Sequence, residues 1–173
     1  MGFKLEDAVD ILERTPQILD TMLTGLSQRW TETSNDPGNW GLFDVVGHLI
    51  HGEKTDWIPR AEIILTRGES QTFVPFDRLA QFDDSNGKSL PDLLTEFSAL
   101  RKAGISKLQT WNLTTDKLEL KGMHPELGEV TLEQLLSTWV VHDLNHIRQI
   151  VKYIADQYAE CVGPWRQYLS ILE

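Results

Sequence analysis

Apolar residues recur every three or four positions through most of this chain, the period of a helix with one buried face. The first such stretch, "LEDAVDILERTPQILDTMLTGLSQRW", meets a proline with no N–H to give. Two successive helical pieces are therefore expected, the second capped by Thr15 with Pro16 in its first turn. "TETSNDPGN" reads as loop, and Asn39 can cap the next helix, "WGLFDVVGHLIHGEKTDWIPRAEIIL", with a bend at Pro59. Residues 66–88 keep no period and exceed most connections in compact domains, which makes them a candidate lid or site wall. Ser89 then caps "LPDLLTEFSALRKAGISKLQTW", residues 112–130 form a second connection, and Thr131 opens the last long helix. A short helix is expected after Pro164. The expected fold class is all-α: a four-helix bundle with long crossover connections, in one domain over residues 1–173.

Two histidines interrupt the apolar stripe of the last helix. Counting about 100° per residue, Leu135, Leu136, Trp139, Ile147, Ile150, Tyr153 and Ile154 share one face, and His142 and His146 fall within its edge. Four residues apart is about 6 Å of rise in nearly one direction, so both rings can reach a single ion. A third ligand must come from elsewhere. On the second helix Leu42, Val45, Val46, Leu49 and Ile64 define the core side; His48 lies beside Val45, while His51 lies nearly opposite. His124 sits in a loop before Pro125 and reaches the site only if that loop folds over it. The residue after the first histidine of the pair is Asp143, so the zincin HExxH pattern is absent, and so are the paired Glu-x-x-His motifs of di-iron bundles.

Composition narrows the partners. With 16 Lys+Arg against 26 Asp+Glu, the net charge of −10 repels phosphate backbones and argues against nucleic acid. No apolar run approaches the roughly 18 residues of a membrane span. The start "MGFKLEDAVD" lacks a signal peptide's apolar segment, and Cys161 stands alone, which points to a cytoplasmic protein without disulfides.

The segments "NWGLFDVVGHLIHGEKTDW", "PFDR" and "GEVTLEQLLSTWVVHDLNHIRQI", in that order, resemble the DinB-like superfamily over about Leu19 to Tyr153. The resemblance implies a bundle with a mononuclear three-histidine site on His48, His142 and His146, the same three selected by helical counting. It also implies thiol-dependent transferase or hydrolase chemistry on a small molecule, with a low-molecular-weight thiol as a cosubstrate, and no DNA contact. Imidazole ligands suit zinc or nickel first, with iron and copper compatible. The alternative is a noncatalytic bundle that binds a metal or small molecule in a stress-related role.

Charges at inward positions need partners. Glu53, Asp56 and Arg60 face the core side of the second helix and Asp143 the centre of the last stripe. They form either an ion-pair network or, for Asp143 and Glu53, outer acceptors for a ligand ring or proton carriers. Gln149, one turn past His146, can orient a substrate or ring. Trp40, Trp57, Trp139 and Trp165 are read as core or interface aromatics, and together with the long amphipathic helices they suggest a homodimer.

Overall fold

The computed structural model describes residues 2–31 and 40–173, so Asn39, the expected cap, lies outside the described residues. Helix α1 runs unbroken from Leu5 to Leu23, which corrects the expected split at Thr15. The reason is specific. Pro16 cannot donate to the Leu12 carbonyl, and Arg101 Nη1 donates to that oxygen instead at 2.9 Å. A short α2 follows at Gln28–Thr31. Helix α3, Leu42–Thr55, starts from Gly41, whose N–H is accepted by Asp44 Oδ2 at 2.9 Å. The bend expected at Pro59 falls three residues earlier: α3 ends and α4, Trp57–Thr66, begins across Asp56. Pro59 has no N–H for the Thr55 carbonyl, which removes a bond that would have continued the helix.

The connection after α4 is structured. A single turn at Gly68–Ser70 leads to an extended piece, in which Phe73 N–H donates to the Met123 carbonyl at 2.9 Å, and then to helix α5, Ala80–Ser85. Helix α6, Leu90–Thr110, is capped as expected by Ser89, which exchanges hydrogen bonds with Asp92. After α7, Thr115–Leu118, the segment read as plain loop forms an antiparallel hairpin, β1 (Lys121–His124) and β2 (Gly128–Thr131), with Lys121 opposite Thr131. Four-residue strands are too short to show alternation convincingly. Helix α8, Leu132–Asp156, starts at the Thr131 cap, and a 3₁₀ helix at Gly163–Tyr168 contains Pro164.

Helix α1, the α3–α4 pair, α6 and α8 form the bundle, with α1 against α6 and α8 and the α3–α4 pair against the same two helices. Its interior holds two apolar clusters. One contains Leu12, Trp57, Ile64, Ile105, Leu108, Leu136 and Trp139. The other contains Leu19, Val45, Val46, Leu49, Leu93, Phe97 and Ile150. Between them, on every long helix, lies a polar stretch: Thr15 and Pro16, Glu53, Arg101, and Asp143.

The face of α3 opposite this interior is covered too. Helix α5 lies so close that a Cβ on Gly47 would stand 2.6 Å from Ser85 Oγ. His51 is consequently buried rather than outward, its ring 4.8 Å from that of Phe76. Trp57 and Trp139 stack 5.9 Å apart in the core, whereas Trp165 is 70% exposed and takes no part in it. Among the described residues, no helix is long and apolar enough to cross a membrane.

Candidate metal centre

The α3–α8 contact brings the three expected histidines together. His142 Nε2 lies 3.1 Å from Nε2 of His48 and 3.1 Å from Nε2 of His146. Two tetrahedral ligands held 2.0–2.1 Å from one ion stand about 3.3 Å apart, so this spacing suits a shared cation. The tautomers suit it as well. His48 Nδ1 donates to Gln81 Oε1 at 3.0 Å, and His146 Nδ1 donates to Gln149 Oε1 at 2.8 Å. Each of these rings thereby turns a bare Nε2 lone pair toward His142. Lone pairs at that distance repel unless a proton or a cation sits among them. His142 Nδ1 is buried without an acceptor, so nothing on that side fixes its proton.

Protonation leaves the rings available as ligands. Burial, reinforced by the charge of His146, lowers His48 to about 4 and His142 to about 3. Burial also lowers His146, against the opposing effect of the hydrogen bond it donates to Gln149. All three are neutral at pH 7, the form that binds metals. Among the described residues, these three are the histidine, cysteine or carboxylate side chains grouped closely enough to share an ion. On one side the three nitrogens adjoin open space.

That space is a cavity of about 570 Å³. Trp40 stands 4.9 Å from the His48 ring and Phe76 meets its edge at 5.3 Å, while Trp57 backs His142 at 5.0 Å. The 66–88 connection is thus a wall of the site, contributing Phe76, Arg78 and Gln81. Gln81 is 1% exposed and escaped sequence reasoning, because six-residue α5 is too short to show a period. Its only signal was the excess length of the connection. His124 does arrive at the cavity, carried by the hairpin, but stays outside the group of three; its Nδ1 accepts the N–H groups of Glu126 and Leu127 at 3.1 Å each.

Asp143 and Glu53 serve another cluster. Arg101 Nη2 donates to Glu53 Oε1 at 2.8 Å and to Asp143 Oδ1 at 2.9 Å, and Trp139 Nε1 donates to Glu53 Oε1 at 3.0 Å. Burial pushes the Glu53 carboxyl up against the pull of Arg101, while Arg101, although burial opposes its charge, is held above its ordinary value by the two carboxylates. Neither acid is hydrogen-bonded to a ligand ring; two glutamine amides take that place. Of Glu53, Asp143 and Gln149, Gln149 is the residue hydrogen-bonded to one of the three histidines.

Comparison with known proteins agrees with this architecture. A protein of Oceanobacillus iheyensis named "Putative metal-dependent hydrolase" is 24% identical over 84% of this chain and 83% of its own length. One of Bacillus licheniformis with the same description is 28% identical over 85% and 83%. The solved structure of YfiT from Bacillus subtilis, described as a probable metal-dependent hydrolase with an unusual four-helix bundle topology, superposes with a TM-score of 0.76 over 90% of each chain at 24% identity. The model of the DinB superfamily matches residues 11–150, a span that contains all three histidines, both glutamines and the Arg101 cluster, and the chain belongs to that superfamily.

Proposed function

We propose that this protein is a metal-dependent enzyme that holds one divalent transition ion on His48, His142 and His146 and acts on a small molecule by hydrolysis or by transfer to a thiol. One observation carries the reading: three neutral Nε2 atoms, two of them with tautomers set by Gln81 and Gln149, converge beside an open cavity. An ion bound there supplies Lewis acidity and eases deprotonation of a water or thiol nucleophile. The chain's own part is to keep the rings neutral by burial, to aim them through the two amides, and to narrow the approach with Trp40 and Phe76. Asp56 lines the same cavity, and burial raises its carboxyl against the pull of Arg60. The relatives named as hydrolases favour water as the nucleophile, and the thiol-transfer reading stands on the family resemblance; for the ion, zinc or nickel comes first, with iron compatible.

A cytoplasmic homodimer completes the proposal. Val141 and Leu144, 63% and 47% exposed on the outer face of α8, are its candidate contacts. Elemental analysis of purified protein tests the centre: one ion per chain is expected in the wild type and less than a tenth of that in His142→Ala. Screens for ester or amide hydrolysis and for thiol consumption with the loaded protein then separate the two chemistries. A wild type without bound ion after reconstitution with zinc, nickel and iron would end this reading.

A further inference from the structure

Beside the histidines the cavity wall carries two arginines, Arg60 and Arg78, in a chain that is strongly negative overall. Arg60, on α4, is 7% exposed, with Nη2 2.8 Å from Asp56 Oδ1 and 3.3 Å from the Val74 carbonyl, and its guanidinium lies 5.4 Å from the Phe73 ring centre. These contacts fix the group in place. Its Nε, also buried, has no acceptor among the described residues. A buried guanidinium N–H left without an acceptor is costly, and such groups are normally met by water or ligand.

The "PFDR" segment supplies the second arginine. Phe76 wedges against His48 and His51, and Asp77 Oδ1 accepts the N–H groups of Leu79 and Ala80 at 2.9 and 3.3 Å, which turns the chain into α5. Arg78 stands between these anchors on the cavity wall, with no carboxylate partner among the described residues. His124 adds a third donor: because its Nδ1 accepts two backbone N–H groups, the neutral ring carries its proton on Nε2.

We propose that this cavity takes an anionic small molecule, its carboxylate or phosphate held by Arg60 and Arg78 while its reacting end faces the three histidines; this substrate class rests on the metal-enzyme reading above. A neutral carbonyl can give the Arg60 Nε–H one ordinary hydrogen bond, whereas an oxyanion accepts from a guanidinium in a paired, charge-assisted geometry of greater strength. The opposing acids do not cancel both arginines. Asp56 is a single carboxyl, paired with Arg60, and Glu126 sits exposed at the rim. The volume of about 570 Å³ accommodates a molecule that spans from arginines to histidines.

Calorimetric titration of the zinc-loaded protein with succinate, inorganic phosphate and neutral succinamide tests the proposal. Binding of at least one of the two acids and none of the diamide is expected, and the better acid identifies the headgroup. Arg60→Met should weaken that binding at least tenfold and Arg78→Gln about fivefold, both keeping the wild-type ion content. Arg78 is exposed, so Arg78→Gln decides the matter even if Arg60→Met fails to fold. Unchanged affinity in Arg78→Gln, equal binding of succinamide, or no acid binding by the wild type would overturn it. An ion-free wild type that still binds the acids and loses them with Arg78→Gln sustains the arginine site while removing the metal.

Discussion

His142 and Asp143 are neighbours in sequence and belong to two opposite solutions for a polar interior. Asp143 meets Arg101 and, through it, Glu53, in a cluster where charges are retained and compensated at 0–1% exposure for Asp143 and Arg101. His142 meets His48 and His146, where burial removes the charge and leaves lone pairs facing one another beside a cavity. One step along the helix, about 100° of rotation, separates a junction compensated within the protein from one that turns three ring nitrogens toward each other beside a cavity. The difference lies in donor count. Arg101 brings enough N–H groups to satisfy two carboxylates and a carbonyl, whereas three imidazoles sharing a point bring acceptors and a deficit of positive charge.

Removing Arg101 should give the largest effect. Arg101→Met leaves Glu53, Asp143 and the Leu12 carbonyl buried without their main partner, and a loss of about 3–5 kcal/mol of stability is expected by urea denaturation. A loss below about 1 kcal/mol would mean that the cluster is not the compensated junction described. Stripping the ion from the histidines should cost less, about 3 kcal/mol when free metal had stood a hundredfold above its dissociation constant, with helical circular dichroism preserved. Helix loss on chelation would erase the distinction between the two clusters.

Acid should also tell them apart. In the metal-free protein His48 and His142 stay neutral to about 4 and about 3, while the unfolded chain protonates near 6.5. Folded pKa values below unfolded ones mean stability present above pH 6.5 and lost as pH falls toward 4 and 3. The thermal midpoint should therefore drop through that window, and His142→Ala should flatten the drop. An equal slope in the variant would assign the acid sensitivity elsewhere.

Smaller again are the amides. Gln81→Ala and Gln149→Ala should each weaken metal binding about 10–100-fold in a chelator competition, with the unfolding midpoint nearly unchanged. Smallest is the coupling at the proline: Pro16→Ala should recover about 1 kcal/mol of the Arg101→Met loss, because the new N–H serves the Leu12 carbonyl. A double-mutant cycle reads that value directly.

Helical periodicity was enough to reach the bundle, the caps at Ser89 and Thr131, and the inward turn of His48, His142 and His146. Each depends on residues within one or two turns of each other. What stayed hidden depends on partners far along the chain. The unbroken α1 needed Arg101, 89 positions from Leu12. The burial of His51 needed α5, packed over the side of α3 that an amphipathic reading assigns to solvent. The carboxylates Glu53 and Asp143 were legible as inward, but only the position of Arg101 revealed the ion-pair network they form. Gln149 could be found because it shares a helix with His146; Gln81, on a six-residue helix, could not.

The vacancy that Pro16 leaves on α1 also acts as an alignment mark. Helices joined by apolar packing alone can slip by a turn and bury nearly the same area, because one Leu-rich face resembles the next. Along the interior of α1, from Leu5 to Leu23, proline makes Leu12 the carbonyl denied its partner four residues on, and a single guanidinium on α6 answers it. Shifted by one turn in either direction, that guanidinium would meet a carbonyl already in use, with two acids still to satisfy. A residue usually regarded as a helix defect thus gives one pairing of α1 and α6 an advantage over its neighbours, and fixes how far along α6 the whole polar layer, and with it the histidine end of the bundle, is placed.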